Sequence, residues 1–235
     1  MEVFTLPLLL HWGDVTERAR VPIRNTAIAG WTGRDRAAVE THIQELAALG
    51  VKPPASIPTF YRIAATRLTT CSSIEVLGES SSGEVEFVLL QHAGKLWLGV
   101  GSDHTDRALE TFNIEVSKQM CDKPTAAVWW LFDEVAPHWD ALVLRSHLGT
   151  EGTLYQEGSV AALLEPAELI RQFAGSAALP ENTLMFCGTL PAIGGVRPSR
   201  QFAFELEDPV LGRKIHHEYC INTLPMVSQP KSGVS

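Results

Sequence analysis

The chain has 235 residues, 45% of them apolar and 20% charged, and 19 Lys and Arg against 27 Asp and Glu leave a formal charge of −8. That length suits one large domain with or without a small appendage. An acid surplus with no basic run argues against nucleic acid or an anionic membrane as partner.

The early apolar stretch, residues 3–10, is interrupted by Thr5 and Pro7 and is too short to cross a bilayer. It also lacks the basic start and small-residue cleavage site of a secretory signal. Cys71, Cys121, Cys187 and Cys220 form no CxxC pair. Such spacing fits buried or spectator thiols in a reducing cytoplasm better than a zinc site or a disulfide framework.

In chain order, residues 3–11 and 20–30 read as extended segments about Gly13-Asp14. Thr32 and Asp35 then read as a capping pair for a helix. Its Val39, Ile43, Leu46 and Ala47 recur at helical spacing until Gly50. Lys52-Pro53-Pro54 marks a break, so residues 1–52 are expected to form an N-terminal sub-domain. From Ser56 onward strand signals dominate, over 74–77, 84–91, 96–102, 143–147, 183–187, 201–207 and 214–221. Helices are predicted over 126–135 and 166–174, the second with a proline in its first turn. Residues 53–227 form the expected main domain, and the polar stretch 228–235 a tail. Many short strands without βαβ units give an α+β, mainly β class.

The most informative segment is Gly83-Glu84-Val85-Glu86-Phe87-Val88. Side chains two apart on a strand share a face, so Glu84 and Glu86 do. A turn at Ala93-Gly94 pairs His92 with Lys95, and that register carries Glu84 opposite Asp103. Three carboxylates then crowd within cross-strand reach, where like charges repel. A raised pKa or a bound cation relieves the conflict, and three hard oxygens suit Mg²⁺, Mn²⁺ or Ca²⁺ rather than zinc. The alternative reading is the wet face of an edge strand, and the pattern alone leaves both open.

Four elements in order resemble the fumarylacetoacetate hydrolase superfamily. They are Glu84/Glu86, then Ser102-Asp103 with Arg107, then Lys118, then Gly188-Thr189-Leu190-Pro191-Ala192-Ile193-Gly194. Tyr155-Gln156 and the segment 206–219 fit the same order, and the resemblance covers roughly residues 56–225, most like a divergent bacterial branch. It implies a distorted β-roll or barrel with a small N-terminal α/β part laid against it, and a homodimer. Carried over residue by residue, Glu84, Glu86 and Asp103 become ligands of Mg²⁺ (or Mn²⁺ or Ca²⁺). Lys118 becomes the catalytic group beside the bound substrate, and Gly188 and Thr189 contact its carboxylate or keto oxygen.

One departure concerns the proton-transfer group. Superfamily members that hydrolyse acylpyruvates carry a histidine shortly before the ExE strand, whereas residues 60–67 read FYRIAATR here. His104, next to Asp103, is the candidate replacement, with His11 and His42 behind it. Arg62, Arg67 and Arg107 are candidate carboxylate clamps. The expected activity is metal-dependent C–C hydrolysis of a small 2-oxo acid or β-dicarbonyl carboxylate. Decarboxylation, keto–enol isomerisation and metabolite binding without turnover are the alternatives.

Overall fold

A computed structural model describes residues 3–48 and 53–226. The chain opens with β1 (Thr5–Trp12), β2 (Val15–Pro22) and β3 (Asn25–Gly30), followed by α1 (Arg36–Ala48). Next come β4 (Thr59–Ile63), β5 (Leu68–Thr69), β6 (Ser73–Leu77) and β7 (Ser81–Ser82). The acid-bearing hairpin is β8 (Val85–His92) and β9 (Lys95–Ser102), and β10 (Thr105–Asp106), α2 (Arg107–Glu110) and α3 (Ile114–Met120) follow it. Then come β11 (Lys123–Pro124), β12 (Val128–Leu131), α4 (Phe132–Val135), β13 (Val143–Leu148) and β14 (Thr153–Ser159). The last elements are α5 (Pro166–Ala174), β15 (Thr183–Thr189), β16 (Gln201–Asp208) and β17 (Arg213–Leu224).

Two large sheets dominate. One has eight strands in the order β2-β1-β12-β9-β8-β15-β3-β4, the other five in the order β14-β13-β16-β17-β6, and neither closes. Strand β8 is central and buried on both faces, which explains its unbroken apolar run. Phe87 and Leu89 pack with Phe202, Phe204, Leu206 and Tyr219 of the second sheet. Val88 and Leu90 face the other way, into a cluster fed by Leu8 of β1 and by Tyr61 and Ile63 of β4. Because strands from opposite ends of the large sheet meet in that cluster, the sheet is rolled around it. Glu86 shares the rolled-in face, so the site lies at one end of that inner core.

Strands from the segment expected as an N-terminal sub-domain, 1–52, hydrogen-bond directly into this sheet. β1 pairs with β12 and β3 with β15, both in parallel. Helix α1 is capped by Asp35 alone, whose Oδ1 accepts from Ala37 and Ala38 N–H at 3.0 and 3.1 Å. Thr32, its expected partner in the cap, is instead buried beside Gly188. Gly50 and the tail 228–235 lie outside the described residues.

The helix expected over 126–135 is a strand followed by a single turn. Val-Trp-Trp-Leu is a β-branched and aromatic run, and here it bridges β1 and β9. Trp129 enters the rolled core and Trp130 the inter-sheet core, so both indoles are buried. No helix among the described residues is long and apolar enough to cross a membrane.

Candidate active site

The turn of the β8–β9 hairpin has Ala93 at φ 53° and Gly94 at φ 71°, the two left-handed residues of a type I′ turn. Its register pairs His92 with Lys95 and Val85 with Ser102. One step further, the Asp103 N–H donates to the Glu84 carbonyl at 3.0 Å. Glu84, Glu86 and Asp103 therefore converge as the register requires, with one oxygen from each all within 4.8 Å of one another. Glu86 and Asp103 are buried, while Glu84 lies at the rim.

Cations stand against the trio. Lys118 Nζ, from α3, donates to Asp103 Oδ2, and the fully buried Lys123 Nζ lies 3.1 Å from Asp103 Oδ1. Arg107 Nη2 lies 3.2 Å from Glu84 Oε1, with Nη1 on Glu110 at 2.8 Å and Nε on Ser82 Oγ at 2.7 Å. The carboxylates are thus partly neutralised, and the pocket is less negative than the strand register alone suggests.

Burial pushes the Glu84 carboxyl up, and Arg107 offsets only part of that. Glu86 is pushed well up by burial, with the nearby Asp103 charge adding to it. Burial would also raise Asp103, but Lys118 and Lys123 outweigh it and hold that carboxyl below the usual range. For Lys118 burial alone would lower the ammonium, yet Asp103, Glu84 and Glu86 hold it above its ordinary value. Lys123 is lowered by burial.

The donor set fits a divalent cation. It offers three carboxylates and no nitrogen or sulfur ligand, the preference of Mg²⁺, Mn²⁺ and Ca²⁺. The residues that would hold it are Glu84, Glu86 and Asp103.

Glu84 and Glu86 open into a cavity of about 790 Å³, lined also by Arg107, Lys118, Gly188 and Thr189, and Asp103 is buried behind them. The Gly-Thr segment is committed to the protein rather than left open for a ligand. Gly188 N–H donates to Glu86 Oε2 at 2.7 Å. Thr189 Oγ1 donates to the Val85 carbonyl at 2.8 Å and accepts from Gln156 Nε2 at 2.8 Å. Thr189 thereby has its only hydroxyl proton in use, so its expected donation to substrate is not available from that proton. What the segment does is fix the orientation of Glu86 and the start of β8.

Gly188 is required for this. Its φ is 101°, and a Cβ there would lie 1.7 Å from Thr32 Oγ1. Gly188→Ala is expected to destabilise the protein by about 3 kcal/mol, combining left-handed strain with overpacking. Urea unfolding measures this, and a loss under about 1 kcal/mol contradicts the packing described.

Three expected site residues, His104, Arg62 and Arg67, are not brought to the cavity. His104 is fully buried with its ring held away from the acids, Nδ1 2.8 Å from Tyr219 Oη and Nε2 2.9 Å from Ser81 Oγ. Burial, aided by Lys123 and Arg107, brings its pKa down to about 3. It is a neutral, doubly hydrogen-bonded core histidine rather than a proton-transfer group, because Tyr219 and Ser81 hold both of its ring nitrogens. Arg62 lies on β4 with Nη2 donating to Asn25 Oδ1 at 2.8 Å and its guanidinium 5.8 Å from the Phe173 ring. Arg67 faces Asp122 at 3.4 Å. Neither arginine lines the cavity.

Lys123, Tyr61 and Gln156 complete the site's surroundings. Gln156 makes four hydrogen bonds, Oε1 accepting from Val85 N–H and Ser146 Oγ and Nε2 donating to Thr189 Oγ1 and the Leu190 carbonyl. Lys118 Nζ lies 5.7 Å from the Tyr61 ring centroid. Lys123 carries no motif signal, since its role arises only when β11 pairs with β5 and buries it beneath Asp103.

The fold is shared with solved structures. A candidate fumarylacetoacetate isomerase/hydrolase from Oleispira antarctica superposes with a TM-score of 0.66 at 16% identity, covering 91% of this chain and 98% of that one. A candidate fumarylpyruvate hydrolase from Burkholderia cenocepacia gives 0.60 at 16% identity, covering 96% and 97%. A 2-keto-3-deoxy-D-arabinonate dehydratase complexed with magnesium and 2,5-dioxopentanoate gives 0.63 at 15% identity, covering 92% and 79%. At these identities the likeness shows the fold alone, and that fold is fumarylacetoacetate-hydrolase-like. No curated protein matches the chain. A family model described as "Protein of unknown function (DUF2848)" matches residues 29–219, most of the described fold and every residue of the acid site, and the chain belongs to that family.

Proposed function

We propose that this protein is a divalent-metal-dependent enzyme acting on a small 2-oxo acid or β-dicarbonyl carboxylate through an enolate, with C–C bond hydrolysis as its leading activity. The observation that carries this reading is the convergence of Glu84, Glu86 and Asp103, with Glu84, Glu86 and Lys118 lining one cavity. A dication bound there supplies a Lewis acid that neutralises charge developing on an enolate. The chain's own residues then account for the rest. Lys118 Nζ holds a proton at the cavity floor and can deliver it to a carbanion or oxyanion. Glu86, aligned by Gly188 N–H, and Asp103, held by two lysines, are pre-organised and need little rearrangement to act together.

A second reading is favoured by a specific observation. His104 is sealed in the core, and no other histidine lines the cavity among the described residues. Reactions that need no activated water, decarboxylation and keto–enol isomerisation, are therefore close alternatives. Superfamily-like folds with solved ligands support the wider class, since the dehydratase neighbour was solved with magnesium and a 2-oxo-acid-type ligand. The proposed protein is a homodimer, as the fold resemblance implies.

The test is a panel of acylpyruvates, β-keto acids and oxaloacetate offered with Mg²⁺ or Mn²⁺, with products separated. Hydrolysis releases pyruvate and a second carboxylic acid, decarboxylation releases CO₂, and isomerisation shows only in the ultraviolet enol band. Metal-dependent turnover is expected for at least one compound. Binding without turnover across the panel would leave a metabolite-binding protein instead.

A further inference from the structure

We propose that the cavity selects a monocarboxylate, a 2-oxo acid whose far end is apolar and uncharged, and refuses a second carboxylate. This deepens the function proposed above and rests on it.

The charged groups that face the cavity are Asp35, Glu84, Glu86, Arg107, Glu110 and Lys118. Both cations are already committed. Lys118 is paired with Asp103, and Arg107 is divided among Glu84, Glu110 and Ser82. The apolar and aromatic residues of the walls include Trp31, Val39, Tyr61, Ile114, Leu163 and Leu190. Trp31 sits at φ 60°, a left-handed backbone that a bulky residue rarely adopts, and it lines this cavity.

Two other sources of positive potential lie nearby, one already capped and the other outside the cavity lining. The N-terminus of α1 borders the cavity, but Asp35 Oδ1 already accepts from Ala37 and Ala38 N–H. Arg197, on the loop after Gly188, does not line the cavity. It donates Nη1 to the Ile193 and Gly195 carbonyls at 2.7 and 3.1 Å, and its guanidinium lies 5.0 Å from the Tyr155 ring.

A ligand's first carboxylate and keto oxygen have a place beside the trio and Lys118. A second carboxylate at its far end would leave water for apolar walls bordered by Asp35 and Glu110, with no uncommitted cation among the residues that line the cavity. A hydrocarbon end gains roughly three- to four-fold in affinity for each methylene it buries.

The experiment is calorimetric titration of the protein at saturating Mg²⁺ with three probes. Oxalate reports the metal-chelating end alone. The six-carbon pair 2-oxohexanoate and 2-oxoadipate differ only in a terminal methyl or carboxylate. We expect 2-oxohexanoate to bind at least about tenfold more tightly than 2-oxoadipate. Ala38→Arg places a cation at the rim on an exposed, helix-compatible position and is expected to narrow that gap. If oxalate binds while 2-oxoadipate equals or exceeds 2-oxohexanoate, the selectivity is overturned and the metal-site reading stands. If neither oxalate nor 2-oxohexanoate binds, both fail. A gap that Ala38→Arg leaves unchanged would place the discrimination elsewhere and overturn its assignment to these walls.

Discussion

Asp103→Asn is expected to cost about 3–5 kcal/mol of folding stability, the largest loss from any isosteric change at the site. Asp103 is fully buried and is the shared anion of Lys118 and Lys123. Replacing it with a neutral amide leaves two buried ammonium groups short of their partner, and an uncompensated buried charge costs that much. Because the folded-state pKa of Asp103 is depressed, its contribution is present above the ordinary carboxylate range and lost as pH falls through it. The deficit of the variant should therefore hold constant between pH 5 and pH 7. Urea unfolding at both pH values measures it. Adding Lys123→Met should recover at least about 1 kcal/mol, since the two sites are in contact. A deficit under about 1 kcal/mol at pH 7 would show that the lysines do not depend on Asp103.

Lys118→Ala is expected to lower kcat by at least about 100-fold on whichever substrate the panel identifies, the range for removal of a positioned acid–base group. Lys118 is nine-tenths buried on α3, and its charge is held by all three site carboxylates. Metal binding should survive, because the lysine supplies no ligand atom and its removal takes a competing cation from the trio. The two effects separate catalysis from site integrity. A variant that keeps more than a tenth of wild-type kcat contradicts the role given to Lys118. A variant that loses metal affinity as well as turnover contradicts the independence of the two.

Particular elements show what the sequence made legible. The β8–β9 register followed from one turn, because a left-handed pair such as Ala93-Gly94 closes a two-residue hairpin, and a fixed turn fixes every pair beyond it. Helix α5 was legible from Pro166 at its start and is closed by Gly175 at φ 65°. Segment 128–131 was not, since a short apolar run has no period of its own and its strand character comes from neighbours distant in sequence. Residues 15–19 were missed as part of β2 because an edge strand with charged, exposed side chains carries little apolar alternation.

The site shows the same division. Glu84, Glu86 and Asp103 were legible because strand period and hairpin register are local rules. The roles of Lys123 and Thr32 were not, because both depend on tertiary approach. One lies beneath Asp103, and the other fills the space that a side chain at position 188 would need. His104 was legible as a neighbour of Asp103 and misleading as a proton carrier. Adjacency in sequence does not bring two side chains to one site, and Tyr219 and Ser81 claim the ring from across the fold.

Titration of the folded protein with Mg²⁺ or Mn²⁺, followed by thermal melting, tests the metal site most directly, with Glu86→Gln as the comparison. Glu86 is the carboxylate with the fewest basic partners, and glutamine keeps an acceptor for Gly188 N–H. Its replacement should therefore disturb folding least. A cation bound only by the folded state adds about 2.7 kcal/mol at one hundred times its Kd, several degrees for a chain of this size. The wild type is expected to show that rise, and Glu86→Gln to lose most of it. Equal melting curves with and without millimolar metal in the wild type, or an undiminished rise in Glu86→Gln, would contradict a metal centre built on Glu84, Glu86 and Asp103.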